Sequence, residues 1–447
     1  MRTVANVAAQ KRTPSRRRTT SRRASIRVGV ASPVAASISD VVYHGRHADP
    51  RCLATYDAFV TDGLARGTRP VTFALLALRI AVLFVALEAG RTAVPTDDLA
   101  RFADIKQLDG VPYRDLPVEY APIETLIVRF GMSSDPATTA TRVALLAFAA
   151  DIAIWLALRL GWGARPAERY LWIGAPLLVF IYTRFDLIPV ALAVWGAVLA
   201  TRGSQRTGGT TMAIAALTKL WPAVLFPGFL VAGCRRAFEW AVLVGGGLVA
   251  AWLAVGGVKG LTDVLTFRHA TGWEVESTVG TVVWIATGGP IRNEAGAPRI
   301  GSVSTEASVT LLVVLAALLV AIWAMAMRRK RAAFGAASVA AVGALLVCSS
   351  VFSLQYAAWL LPWAAVAWVE GDRRHFWVVA SIELLTAILF VVYEPQRVAF
   401  AQALLVARSL LVIALPVIWL FGERYGPASN APVSAEGSVT GKRQTNR

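Results

Sequence analysis

Apolar residues in this chain gather into long, nearly unbroken runs rather than the alternating or every-third-or-fourth spacing of a half-buried strand or helix. A helix rises about 1.5 Å per residue, so about 20 apolar residues cross the roughly 30 Å hydrocarbon layer of a bilayer. Runs near that length occupy 70–90, 139–160, 237–257, 307–327, 332–352, 374–393 and 398–421, and shorter ones occupy 168–183, 186–201 and 355–370. The pattern predicts an all-α polytopic membrane protein with about ten full spans between 70 and 422. A largely disordered basic region, 1–69, precedes them, and a polar tail, 423–447, follows.

The stretch 209–233 breaks the pattern. It is apolar but interrupted by Thr218-Lys219-Leu220-Trp221-Pro222, where Pro222 removes a backbone donor and disfavours helix at Trp221. A hairpin of two short helices is expected, giving about twelve passes in all. Irregular backbone at membrane depth is tolerated only where protein or water covers it, so the apex at Lys219 should line a cavity.

Composition agrees: 16% of residues are charged, against about 25% in a soluble domain. The net charge of +17 suggests a nucleic-acid partner until it is located. Nine Lys or Arg fall in the first 31 residues and most others sit between spans, which is a record of topology and excludes that class. Arg165, Arg169, Arg202, Arg206, Arg235, Arg236, the Arg328-Arg329-Lys330-Arg331 run and Arg373-Arg374 all fit a cytoplasmic position if 209–233 turns back on itself. Both termini are then cytoplasmic in an inner (plasma) membrane protein. The outer face receives 91–138, Thr183–Asp186, the Lys219 apex, 258–306, Ser349–Gln355 and Tyr393–Arg397. Cys52, Cys234 and Cys348 share no metal or disulfide spacing, and four His form no ligand cluster, so no metal or cofactor is expected.

The polar chemistry gathers on that outer face. Asp97, Asp98, Asp104, Asp109, Asp115, Glu119, Glu124 and Asp135 make the first outer loop acidic, and Gly110 to Pro122 interleaves charges with Tyr113, Tyr120 and three prolines, as a fixed loop would. Cations share the face: Arg184, Lys219, Arg268 and His269. An ammonium near membrane depth is costly and usually paired or functional, which makes Lys219 the most informative of them. Arg79, Asp151, Glu383 and Arg408 fall within spans, where interhelical pairing explains them as well as function does.

Several motifs occur in order along 70–400: Asp98-x3-Phe102; Gly110-Val-Pro-Tyr113-Arg-Asp115 with Glu119-Tyr120-Ala-Pro122; Arg184-Phe-Asp186-Leu-Ile-Pro189; Thr218-Lys219-Leu-Trp-Pro222; Glu276-Ser277; and Leu354-Gln355-Tyr356 with Trp359. Together they resemble glycosyltransferase family 87, the polyprenyl-phosphate-mannose-dependent alpha-mannosyltransferases. Ala121 and Phe102 depart from the family's usual proline and tyrosine. The resemblance implies a GT-C-like fold and a metal-independent, inverting hexosyl transfer. The donor would be a polyprenyl-phosphate sugar and the acceptor a glycolipid or envelope glycan. It places the base at Asp98, with Asp97 its rival. Lys219, Arg184, Arg268 and His269 would serve the donor phosphate, and Tyr113, Asp115, Glu119, Tyr120 and Gln355 the substrates.

A transporter or flippase of lipid-linked precursors is the competing class. It predicts duplicated halves, and the acid-rich loop after the first span has no counterpart in the second half. A noncatalytic scaffold leaves the gathering of carboxylates and cations on one face unexplained.

Overall fold

Two lengths of helix build the fold. The computed structural model describes residues 70–92, 97–107, 109–115, 118–266, 270–329, 333–392 and 398–422, with backbone alone for 91, 92, 97, 98 and 398. In chain order the helices begin with α1 (Pro70–Thr92), α2 (Asp97–Gln107), α3 (Pro122–Leu126), α4 (Pro136–Trp162) and α5 (Ala164–Ile173). Then come α6 (Leu187–Thr201), α7 (Gln205–Thr218), α8 (Phe226–Val231) and α9 (Arg235–Leu265). After strand β1 (Trp273–Glu274) follow α10 (Thr278–Thr287), strands β2 (Arg292–Glu294) and β3 (Ala297–Ile300), α11 (Thr305–Arg329) and α12 (Ala336–Cys348). The described chain closes with α13 (Leu361–Val369), α14 (Arg373–Val392) and α15 (Val398–Phe421).

Among the described residues six helices, α1, α4, α9, α11, α14 and α15, are long and apolar enough to cross a membrane. They turn large apolar side chains outward, with Val85 67%, Leu312 64% and Val320 70% exposed, as lipid-facing helices must. The short helices lie inside. Val339 to Val342 of α12 and Ala193, Val194 and Ala197 of α6 are wholly buried. At 15, 14, 13 and 9 residues, α6, α7, α12 and α13 rise only about 14–23 Å, short of the full hydrocarbon layer.

Each short helix therefore stops beside irregular backbone. A 3-10 turn (Ile181–Thr183) and extended Arg184 precede α6, and extended Lys219 (φ −150°, ψ 130°) ends α7. Residues 349–353 follow α12, and a 3-10 turn (Leu354–Trp359) leads into α13. The expected break in 209–233 is thus present, with a 3-10 turn (Trp221–Leu225) carrying the chain from Lys219 into α8. These four stretches converge on one cavity. The opposite helix ends carry arginines: Arg202 after α6, Arg206 in α7, Arg235 and Arg236 in α9, Arg328 and Arg329 in α11, Arg373 and Arg374 in α14.

Close backbone approach holds this inner layer. A Cβ on Gly209 of α7 would stand 2.2 Å from the Ala237 carbonyl of α9, and one on Gly208 would stand 2.5 Å from the Ala200 nitrogen of α6. Only glycine admits such contacts, which is the small-residue packing expected between membrane helices. Arg79 is neutralised inside the bundle: its Nε donates to Asp151 (2.9 Å), which also accepts from the Tyr170 and Tyr182 hydroxyls at 2.5 and 2.7 Å.

Three expectations change. The run 332–352 forms the 13-residue α12, not a full span, because the chain leaves the helix at Ser349 to line the cavity. The run 168–183 is not one short span but α5 followed by two 3-10 turns, since Pro176 and the irregular approach to Arg184 interrupt it. The all-α expectation fails in one stretch, 258–306, where the chain also forms strands. That stretch carries a three-stranded antiparallel sheet, order β1-β3-β2, with Trp273 opposite Ile300 and Arg292 opposite Arg299.

Candidate functional site

The cavity measures about 550 Å³, within the size range of small-molecule sites. Its floor is built on the apex of the α7–α8 hairpin. Lys219 Nζ donates to Asp186 Oδ1 at 2.9 Å, and Trp359 Nε1 donates to the same oxygen at 2.8 Å. The Asp186 side chain is only 2% exposed, so the ammonium pairs with a carboxylate that water barely reaches. Glu124, 2% exposed, adds a second negative charge that acts on Lys219. An ammonium has three donors and the Asp186 contact uses one, so Lys219 can still offer charge to a ligand.

Aromatic rings stand beside this ion pair. Trp359 lies between Tyr356 (centroids 4.1 Å apart, 19° between planes) and Trp221 (5.2 Å, 11°), forming a stack of three. The Lys219 ammonium lies 5.0 Å from the Tyr356 ring centre, within cation–π range. Such a wall offers flat apolar surface next to charge, which suits a sugar ring or a prenyl chain ending in phosphate.

The segment after α1 forms another wall. Ala100, Arg101, Phe102 and Asp104 of α2 line the cavity together with Glu119, Tyr120 and Glu124. Arg101 forks onto Glu119 through Nε and Nη2, both at 3.1 Å. Tyr113 holds this arrangement from behind. Its hydroxyl bonds the Tyr120 carbonyl and Thr125 Oγ1, both at 2.7 Å, and burial drives its phenol pKa upward. Its backbone takes a φ of 71°, and its Cβ rests on α9 where a Cβ on Gly256 or Gly260 would approach to 2.5 Å. Asp115 closes the preceding turn. It accepts from the Val111 amide (2.9 Å), and the Arg114 guanidinium, with that amide, lowers its pKa to about 2.

The segment between α9 and α11 packs over Ser349 to Ser353 beside the cavity. Glu274 in β1 accepts from the Phe352 amide and from Ser353 Oγ (2.6 Å), while its own amide donates to the Ser350 carbonyl (3.1 Å). Burial raises the carboxyl pKa of Glu274, and burial and the Glu274 charge raise that of Glu276. Arg408 of α15 reaches up to donate to the Glu276 carbonyl at 2.6 Å.

Of the residues expected at the site, Arg184, Lys219, Glu119, Tyr120 and Gln355 line the cavity. Tyr113 and Asp115 do not; they shape the loop that does. Asp97 and Asp98 open α2, within one turn of Ala100 and Arg101, and their side chains lie outside the described residues. Arg268 and His269 also lie outside them, just after the cavity-lining Val264 and Leu265. Arg79, Asp151, Glu383 and Arg408 do not line the cavity.

Sequence reasoning left Asp186, Glu124, Arg101, Tyr356, Trp359 and Glu274 out of the site. Asp186, Tyr356 and Trp359 stood in the recognised motifs, but their roles depend on partners 33 and 173 residues away.

No curated protein matches the chain. The sequence model of glycosyltransferase family 87 matches residues 120–350, more than half of the chain. That stretch holds Glu124, Arg184, Asp186, Lys219 and Glu274, five of the charged groups around the cavity. The chain belongs to glycosyltransferase family 87.

Proposed function

We propose that this membrane glycosyltransferase moves a hexose, mannose by its family resemblance, from a polyprenyl-phosphate donor to a glycolipid or envelope glycan on the outer face of the inner membrane. One observation carries the reading: a cavity walled by carboxylates, cations and stacked rings opens where the short helices stop, while the far helix ends carry the arginines. The positive-inside rule turns those arginines to the cytoplasm and the cavity outward. A transporter is disfavoured by the family.

In the proposed reaction a carboxylate of the first outer loop, Asp98 or its neighbour Asp97, takes the proton of the acceptor hydroxyl. The acceptor oxygen forms its bond to the anomeric carbon as the bond from that carbon to the phosphate oxygen breaks, inverting the centre. The electron pair leaves with the polyprenyl phosphate, whose added charge Lys219, Arg184 and Arg268 stabilise. The stack of Tyr356, Trp359 and Trp221 supports the sugar or the first prenyl units.

The test is transfer by the purified full chain in lipid, supplied with radiolabelled polyprenyl-phosphate mannose and an envelope glycolipid extract. Label should pass to the glycolipid with release of polyprenyl phosphate. If no polyprenyl-phosphate sugar is consumed while a nucleotide sugar is, the donor assignment fails.

A further inference from the structure

A second cavity lies at the other end of the bundle. It measures about 200 Å³ and is lined by Arg165, Glu168, Arg169, Trp368 and Arg373. Helix α13 links the two cavities: Trp359, just before it, borders the first, and Trp368, in its last turn, borders the second. The helix rises about 14 Å over its nine residues, so the cavities are separate.

Three guanidinium groups against one carboxylate make this small cavity electropositive. Two of them are held in place by one ring. The Arg169 guanidinium carbon lies 4.3 Å, and that of Arg373 5.0 Å, from the centre of the Trp368 ring. These like charges line one small cavity and are best balanced when an anion sits among them. Glu168, which accepts from Thr72 Oγ1 at 3.2 Å, offsets only one of the three. The cavity also stands where α5 begins at Ala164 and α14 at Arg373, so both helix dipoles favour negative charge there. Guanidinium forks match phosphate oxygens in geometry as well as charge.

We infer that this cavity binds a phosphate group, and that the phosphate belongs to the headgroup of an anionic phospholipid in the adjoining leaflet. The outward sides of the neighbouring helices are apolar: Trp172 of α5 and Trp377 of α14 are 43% and 49% exposed and meet edge to face. Acyl chains can lie along that surface while the headgroup enters between the arginines, as basic pockets between membrane helices take anionic lipids.

The full chain, purified in neutral detergent, is titrated with dioctanoyl phosphatidylglycerol, dioctanoyl phosphatidylcholine or inorganic phosphate, and retained ligand is counted by native mass spectrometry. Phosphatidylglycerol, with a net negative charge, should bind at least about tenfold more tightly than phosphatidylcholine, whose phosphate carries a quaternary ammonium that the three arginines repel. Arg169→Gln/Arg373→Gln should remove that preference, whereas Arg206→Gln/Arg328→Gln, at the same end but outside the cavity, should keep it. Glu168→Gln should tighten phosphatidylglycerol binding, which keeps the inference testable if the double variant does not fold. Equal binding of both lipids, or a preference that survives Arg169→Gln/Arg373→Gln, overturns the inference. Inorganic phosphate binding as tightly as phosphatidylglycerol overturns the lipid assignment.

Discussion

Lys219 and Asp186 show how a charged residue near membrane depth becomes useful. The carboxylate is buried, the ammonium pairs with it, and Trp359 fixes the shared oxygen. Removing one partner of a buried pair typically costs about 3–5 kcal/mol, because the survivor is left unpaired. Lys219→Ala should therefore lose stability on that scale as well as donor use. Adding Asp186→Asn should restore much of the stability but not the transfer, as read by thermal unfolding and turnover of purified protein. A double variant with wild-type turnover would confine the pair to folding. The carboxylates of the first outer loop test the base. Asp98→Asn keeps shape but cannot accept a proton at neutral pH, so turnover should fall about 10²- to 10⁴-fold. Asp97→Asn and the cavity-lining Asp104→Asn are the comparisons. If either of those loses turnover while Asp98→Asn keeps it, the base moves by residue; if all three stay active, a base in this loop is refuted. Arg184, Lys219, Glu119, Tyr120 and Gln355 were legible as neighbours of one cavity because polar groups concentrate between apolar runs. Their pairings were not, since contacts such as Tyr113 on Gly256 and Gly260 arise only when distant helices pack.

Helix length, not the hydrophobic pattern, decides what the elements do. Pro222 and the polar Lys219 announced the break between α7 and α8. The apolar run at 332–352 gave no such notice, because Val351 and Phe352 continue it past the point where the helix ends. The three strands, two to four residues long, are too short for an alternating pattern to emerge. They matter because β1 carries Glu274, which ties the segment between α9 and α11 to Phe352 and Ser353 beside the cavity, with Glu276 two residues on. A carboxyl whose pKa is raised by burial binds its proton more tightly in the folded chain than in the unfolded one. Its stabilising contribution is therefore present below the ordinary carboxyl value, about 4.3, and is lost as pH rises through the raised folded value. The melting temperature should accordingly fall as pH rises over that window, and Glu276→Gln should flatten the fall. An unchanged slope in the variant would show that Glu276 does not carry the effect.

At the scale of the described bundle, helices of two lengths divide the work: long ones turn apolar side chains outward, and short ones stop beside the polar cavity. In the proposed orientation the positive-inside rule places the arginines of the helix ends remote from the cavity in the cytoplasm, and the cavity opens outward. Cysteine labelling in intact cells should find positions 109 and 292, the latter exposed in β2, outside, and 206, 235, 329 and 373 inside. Labelling of position 235 from outside would undo the hairpin and remove Lys219 from the outer face.

The central claim is that this cavity, open to the outside, is where the sugar is transferred. Ala297 in β3 borders it and is only partly buried. Ala297→Cys, in a chain with Cys52, Cys234 and Cys348 replaced by Ala, can be treated in intact cells with a bulky membrane-impermeant maleimide and then assayed for transfer from polyprenyl-phosphate mannose. The account predicts that the cysteine is labelled from outside and that labelling abolishes transfer, with full activity in the unlabelled variant. Labelling only after the membrane is opened, or undiminished transfer by the labelled protein, would contradict it.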